Sequence, residues 1–239
     1  RHRGREIPHR PENAHWRLAI SESLEIVAMP NGVFEEVCYL VYRAGHPDTV
    51  IVDPGEDAGR FLAEARSRAR TISAIWLTHA HIDHIQGVGA LKAATGAPIY
   101  LHPDDRALYD NLPQQGLWFG LRVPAPPPPD IELAHGQILE IGGSRFEVRH
   151  TPGHSAGHVV FVTDAMVFGG DALFAGSIGR TDLPGGNHAT LMTSIATQLL
   201  PLPDPTVVHP GHGPGTTIGR ERRSNPFLTG PAAARGRPA

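Results

Sequence analysis

The sequence predicts an α/β chain in which β-sheets are covered by helices on their outer sides. Three observations carry this expectation. Through the first half, short β-branched runs alternate with stretches of helical periodicity. The segment 124–130, with its run of prolines, then reads as a polyproline-type surface spacer. Beyond it the pattern shifts towards closely spaced hairpins. The chain has 239 residues, 40% of them hydrophobic and 19% charged, which suits one domain with a sizeable core.

Residues 37–42 and 49–52 read as strands, the second running into the turn Asp53-Pro54-Gly55. A helix over 58–68 follows, with Phe61, Leu62 and Ala65 on one face, and then a buried-type strand over 74–77. A single helix is expected over 84–95, ending at Gly96. Residues 98–101 form a further strand and 103–111 a short helix. After the spacer come strand runs at 138–141, 145–150, 158–163 and 166–168, the first two joined by the turn Gly142-Gly143. A last helix covers 188–200, and a strand over 206–208 leads into a glycine-rich loop. Residues 1–17 read as a leader, 18–228 as the folded domain and 229–239, within a Pro/Gly/Ala-rich stretch from Pro226, as a tail.

Composition removes several classes of function. A formal charge of −3 argues against a broad nucleic-acid footprint. No apolar run approaches the ~18 residues of a spanning helix, so no membrane role is expected. Cys38 is the only cysteine, which excludes an internal disulfide and any cysteine-based zinc knuckle. With no convincing signal segment either, the expected compartment is the cytoplasm. Any metal must sit on histidine and carboxylate, and fifteen histidines stand against one lysine, Lys92.

The chemistry concentrates where the strand ending at Leu77 gives way to Thr78-His79-Ala80-His81-Ile82-Asp83-His84. In an extended loop His79 and His81 point to one side and can grip one cation. Asp83 and His84 lie where the loop turns into a helix, so they project towards a second position. Completing both shells needs ligands from later strand ends. His154, Asp171 and His212 each follow a predicted strand in a glycine-rich loop, and a carboxylate such as Asp171 can bridge two cations with its two oxygens.

With these motifs the chain resembles the metallo-β-lactamase superfamily across about residues 18–228. The resemblance implies an αββα sandwich, two mixed β-sheets flanked by helices, with a metal site at one edge. It implies that His79, His81 and His154 hold one metal, that Asp83, His84 and His212 hold the other, and that Asp171 bridges them. Class B β-lactamases typically carry cysteine where this chain has Asp171, which points away from antibiotic hydrolysis. The stretch from Gly170 to Asp182 is similar to glyoxalase II enzymes and persulfide dioxygenases, and the ending from Pro210 to Phe227 resembles the short type of glyoxalase II. The additional C-terminal helical domain of the standard glyoxalase II is not expected here.

The implied activity is hydrolysis of a thioester, with S-D-lactoylglutathione or a related hydroxyacylglutathione as the expected substrate. The implied cofactor is a pair of divalent metal ions, zinc first and iron or manganese as alternatives, since all three accept a His/Asp shell. Such a pair, about 3.5 Å apart, can share a hydroxide, which would attack the thioester carbonyl. Asp83 and Asp171 are the expected catalytic carboxylates, and Arg180 is the candidate to hold a substrate carboxylate. The alternatives are an iron-dependent glutathione persulfide dioxygenase using His79 or His81, His154 and Asp171, and a non-catalytic metal-binding module. The oligomeric state is left open.

Asp53 is expected to brace the metal-bearing loop by hydrogen bonds. His150 and His158 are candidates either for orienting ligands or for packing. His188 is a candidate for the pocket edge, and Tyr100, Trp118 and Phe119 for its mouth or for the core. His46, His102, His135 and His209 read as turn or surface residues, His2, His9 and His15 as leader residues, and Cys38 as a small buried hydrophobe.

Overall fold

A computed structural model describes residues 24–230. The expected leader, with His2, His9 and His15, and residues 231–239 lie outside the described residues. The first half of the chain builds strands β1 (Leu24–Asn31), β2 (Glu36–Arg43) and β3 (Asp48–Val52), helix α1 (Ala58–Ser67) and strand β4 (Thr71–Trp76). Helices α2 (Ile82–Ile85) and α3 (Val88–Thr95), strand β5 (Ile99–Leu101), helices α4 (Arg106–Asp110) and α5 (Leu112–Trp118), and strand β6 (Ile131–Glu132) follow. The strands form one sheet in chain order, antiparallel from β1 to β3 and parallel from β3 to β6.

The second half supplies β7 (Ile138–Ile141), β8 (Ser144–His150), β9 (Val159–Val162), β10 (Met166–Gly170) and the small hairpin β11 (Leu173–Phe174) with β12 (Ser177–Ile178). Helix α6 (His188–Ser194) continues in a wider π turn over Ile195–Leu199. Strands β13 (Val207–Pro210) and β14 (Thr216–Thr217) precede helices α7 (Ile218–Ser224) and α8 (Pro226–Thr229). This sheet runs β14-β13-β10-β9-β8-β7, with β10 and β13 parallel and the other pairs antiparallel.

Strand alternation explains how the layers assemble. On β2, Val37, Tyr39 and Val41 face a core shared with Phe146, Phe161 and Phe168 of the second sheet, with Trp76 between them. Cys38 and Leu40, on the other face, pack with Ile51 and Ile75 under Phe61 of α1 and Leu91 of α3. Val160, Val167 and Val208 bury the outer face of the second sheet beneath Leu191, Ile195 and Ile218. The result is an αββα sandwich, two mixed sheets flanked by helices, as expected. Among the described residues no helix is long and apolar enough to cross a membrane.

The differences from expectation have local causes. The helix expected over 84–95 is cut in two at Gln86-Gly87, where the Gly87 amide donates to the Pro54 carbonyl at 3.0 Å. A Cβ on Gly87 would collide with the Gly55 carbonyl oxygen, so only glycine lets the two segments approach so closely. The helix expected over 103–111 is a 3₁₀ turn followed by α4, and α5, which no sequence signal announced, continues from it. Strand β1 and helix α7 were likewise unannounced, and the stretch from Pro226 begins with α8 rather than irregular chain.

Candidate metal centre

The candidate ligands sit at one edge of the sandwich, Asp83 and His84 in the short helix α2 and the others on loops. His79 to His84 follow β4, with His81 as the N-cap residue of α2. His154 lies between β8 and β9, Asp171 directly after β10, and His212 just beyond β13. The structure brings together in space what the chain separates by more than a hundred residues.

Two triads form. The ligand atoms of His79, His81 and His154 lie within 4.8 Å of one another, and so do those of Asp83, His84 and His212. Asp171 stands between them. Its Oδ2 is 3.5 Å from His154 Nε2 and 3.7 Å from His212 Nε2, and its Oδ1 is 3.5 Å from His84 Nε2.

Hydrogen bonds behind the ligands fix which nitrogens face inward. Thr78 Oγ1 donates to Asp53 Oδ2 at 2.6 Å, so at 3.0 Å it accepts from His79 Nδ1 and leaves His79 Nε2 as a lone pair. His154 Nδ1 donates to the Arg180 carbonyl at 2.8 Å, which leaves a lone pair on His154 Nε2 as well. His84 Nδ1 donates to Asp53 Oδ2 at 3.1 Å, so it is His84 Nε2 that faces inward, offering a lone pair once its own proton is displaced. Both His84 Nε2 and Asp171 Oδ1 are buried with no hydrogen-bond partner. In a tetrahedral zinc shell neighbouring nitrogens stand about 3.3 Å apart. Here His154 Nε2 is 3.2 Å from His79 Nε2 and 2.9 Å from His81 Nδ1.

This donor set therefore fits two divalent cations sharing Asp171. A Cβ on Gly211 would collide with Asp171 Oδ1 and His84 Cε1, so glycine there keeps the space between the ligands open. Burial holds His79 well below the ordinary imidazole range, and His84 and His154 add to the effect. Burial likewise takes His81 down to about 3 and His154 to about 4, leaving both neutral, as metal ligands must be. His84 behaves oppositely. Burial pushes it down, but Asp171, Asp83 and Asp53 outweigh that and raise it well above the ordinary value. Burial opposes ionisation of Asp83 too, yet His84 and His212 keep its carboxyl well below the usual range.

Asp53 performs the bracing expected of it. Its carboxylate accepts from the Thr78 amide, Thr78 Oγ1 and His84 Nδ1, and it holds a positive φ of 49° to do so. His158 orients Asp171 by accepting from its amide at 3.0 Å. His150 instead donates to the Ala156 carbonyl and stacks on His102, 4.1 Å between ring centroids. His102 is buried rather than a surface residue, and His209 stacks on Phe168. Cys38 is fully buried and burial raises its thiol, so it is an inert core residue.

Two positioning residues escaped the sequence reading. Buried Asp105 accepts from the Ala80 amide at 3.0 Å, Ser155 Oγ at 2.8 Å and the Gly157 amide at 2.6 Å, tying the His79–His81 loop to the His154 loop. Gln115 of α5 accepts from the Ile82 amide and donates to the Ala80 carbonyl, gripping the first loop from its other side. Neither lies in a motif, and only an acidic residue after a strand hinted at Asp105.

A cavity of about 430 Å³ opens onto the centre, bounded by His81, Asp83, His154, Asp171 and His212. Of the two readings open for them, Trp118 and Phe119 line the cavity, whereas Tyr100 packs edge-on against Trp76. Arg180 reaches the same cavity, but its guanidinium is exposed and held bidentately by Asp182 at 2.8 and 2.7 Å. His188 opens α6 and is not among the residues lining this cavity.

The sequence profile of the metallo-beta-lactamase superfamily matches residues 31–212. The chain belongs to that superfamily. It is 39% identical over 209 residues to the hydroxyacylglutathione hydrolase GloC of Haemophilus influenzae, covering 86% of this chain and 98% of that one. Among solved structures it is similar to BLEG-1 B3 metallo-beta-lactamase, with a TM-score of 0.81 and 41% identity over 86% of this chain and 100% of the other. It is also similar to TTHA1623 in a di-iron-bound form, with a TM-score of 0.78 and 44% identity over 84% and 100%. The metallo-beta-lactamase fold, with a His/Asp cluster suited to divalent metal ions, marks the chain as a metallo-hydrolase of this superfamily.

Proposed function

We propose that the protein hydrolyses the thioester bond of a hydroxyacylated glutathione, with S-D-lactoylglutathione as the first substrate to test. The observation that carries this reading is the pair of triads facing each other across Asp171, which offers a complete shell to each of two cations. The likeness to the Haemophilus influenzae hydroxyacylglutathione hydrolase supports the choice of thioester. Zinc is the proposed metal, with iron and manganese as alternatives; the di-iron form of TTHA1623 bears on iron. Bound at this centre, such a pair supplies Lewis acidity and lowers the pKa of water from 15.7 towards about 7.

The chain's own residues do the rest. His79, His81 and His154 would hold one ion and Asp83, His84 and His212 the other. Asp83, kept ionised by His84 and His212, can accept a hydrogen bond from the attacking water and orient it. A thiolate leaves without a strong acid, and among the residues lining the cavity no lysine is placed to supply one. Arg180 stands at the cavity to meet a substrate carboxylate, for which it must exchange Asp182. Cys38 is free and buried, and a cytoplasmic location is part of the same proposal.

The test is metal content together with a substrate panel. Close to two metals per chain and turnover of S-D-lactoylglutathione are expected, and Asp171→Ala should lose the full pair of metals and most of the turnover. A cephalosporin belongs in the panel because of the similarity to BLEG-1. A persulfide dioxygenase would need only two histidines and Asp171, leaving Asp83, His84 and His212 without a task. Oxygen uptake with glutathione persulfide would favour that reading over hydrolysis.

A further inference from the structure

Apart from the candidate ligands, a charged side chain lines only one of the two walls of the cavity. One wall comes from the β1–β2 turn, α4 and α5, and presents Phe34, Leu108, Trp118 and Phe119. The other comes from the β11–β12 hairpin and the segment after it, where Ser177 and the cation Arg180 stand among Phe174, Ile178, Leu183 and Pro184. The ligand histidines and carboxylates lie between the two.

The aromatic wall is built rather than incidental. Phe34 and Phe119 meet edge to face, 4.9 Å between centroids at 75°. Gln115, one turn before Trp118 and Phe119, is bonded to Ala80 and Ile82 on either side of His81, which fixes the wall relative to the metal loop. Yet Trp118 and Phe119 are each 52% exposed, next to Leu117 at 59%. Large aromatics left open at the mouth of a cavity are covered when an apolar group fills it.

We infer that this wall binds the acyl half of the substrate and that the enzyme prefers thioesters whose acyl group is apolar and larger than lactoyl. The inference rests on the thioesterase reading above. The polar thiol carrier is assigned to the Ser177–Arg180 side, where a guanidinium and a hydroxyl can meet its carboxylates and amides. The acyl chain then extends from the scissile carbonyl along Phe34, Trp118 and Phe119. Each methylene so buried is worth about fourfold in binding.

The experiment is a glutathione thioester series from acetyl through butanoyl to hexanoyl, plus phenylacetyl, with the metal-loaded wild type, Trp118→Ala, Phe119→Ala and Trp118→Phe. In the wild type, KM is expected to fall by about fourfold per methylene while kcat changes little. The dependence flattens in both alanine variants and is largely retained in Trp118→Phe. Because both residues are exposed, the variants should melt with the wild type, which a melting curve checks. Turnover across the series with no dependence of KM on chain length, or a dependence untouched by both alanine variants, overturns the inference and leaves the thioesterase reading standing. No turnover of any thioester overturns that reading itself.

Discussion

His79 and His154 aim the lone pairs of their Nε2 atoms at each other across 3.2 Å, because each ring has already committed its Nδ1 proton, one to Thr78 Oγ1 and the other to the Arg180 carbonyl. Two acceptors at that distance repel in a buried site unless a cation stands between them. The arrangement is stored in the fold and relieved by metal. The protein should therefore bind divalent metal tightly and gain stability from it. At a free-metal concentration a hundred times Kd the gain is about 2.7 kcal/mol, which for a chain of this size raises Tm by about 5–10 °C over the chelator-treated protein. Calorimetry of both forms checks this; identical melting would contradict it.

Asp171 serves both triads, so its loss should not act like the loss of a single-site ligand. Asp171→Ala is expected to lower metal content from two towards one or fewer and to reduce kcat at least a hundredfold. Elemental analysis beside steady-state kinetics decides it, and a variant retaining two metals and full turnover would remove Asp171 from the centre.

The Asp105 carboxylate bonds to groups beside the candidate ligands rather than to the ligands themselves, accepting from both the His79–His81 loop and the His154 loop. All three partners are donors, so an amide cannot replace the carboxylate without turning an NH₂ towards one of them. Asp105→Asn is expected to weaken metal affinity about 10–100-fold. Asp105→Ala, which leaves those donors buried and unpaired, should cost about 1–3 kcal/mol more in stability for each one not rescued by water. Chelator competition separates the effect on metal from the effect on folding.

The metal-free protein should have a stability maximum near the ordinary imidazole pKa of about 6.5. Below it, the unfolded chain protonates histidines that burial keeps neutral in the fold, His81 to about 3 and His154 to about 4, so stability is lost as pH falls through that window. Above it, His84 retains in the fold a proton that the unfolded chain releases. Burial opposes that proton, but Asp171, Asp83 and Asp53 hold it, and its contribution is lost as pH rises through the elevated folded value. Metal displaces the His84 proton, so the loaded protein should lose the decline on the alkaline side. Urea unfolding of both forms from pH 5 to 9 measures the difference.

The sequence by itself determined the candidate ligands and the layer order. His79 to His84 are legible because a strand feeding a helix fixes the directions of neighbouring side chains, a purely local consequence of backbone periodicity. His154, Asp171 and His212 are legible because each ends a recognisable strand in a glycine-rich turn. What only the tertiary structure decided is how those ligands are held. Asp105 and Gln115 act through backbone groups of loops 25 to 52 residues away, and a hydrogen bond to a distant amide leaves no pattern in the chain. The division of the 84–95 segment into α2 and α3 has the same origin, since Gly87 gives its amide to Pro54 instead of to one uninterrupted helix. Arg180 was readable as a cation beside Asp171, but its capture by Asp182 was not, because a side chain that can rotate finds its partner only after the loop has a shape. Residue type and spacing decide which atoms can bind a metal; the packing of two sheets decides where those atoms point.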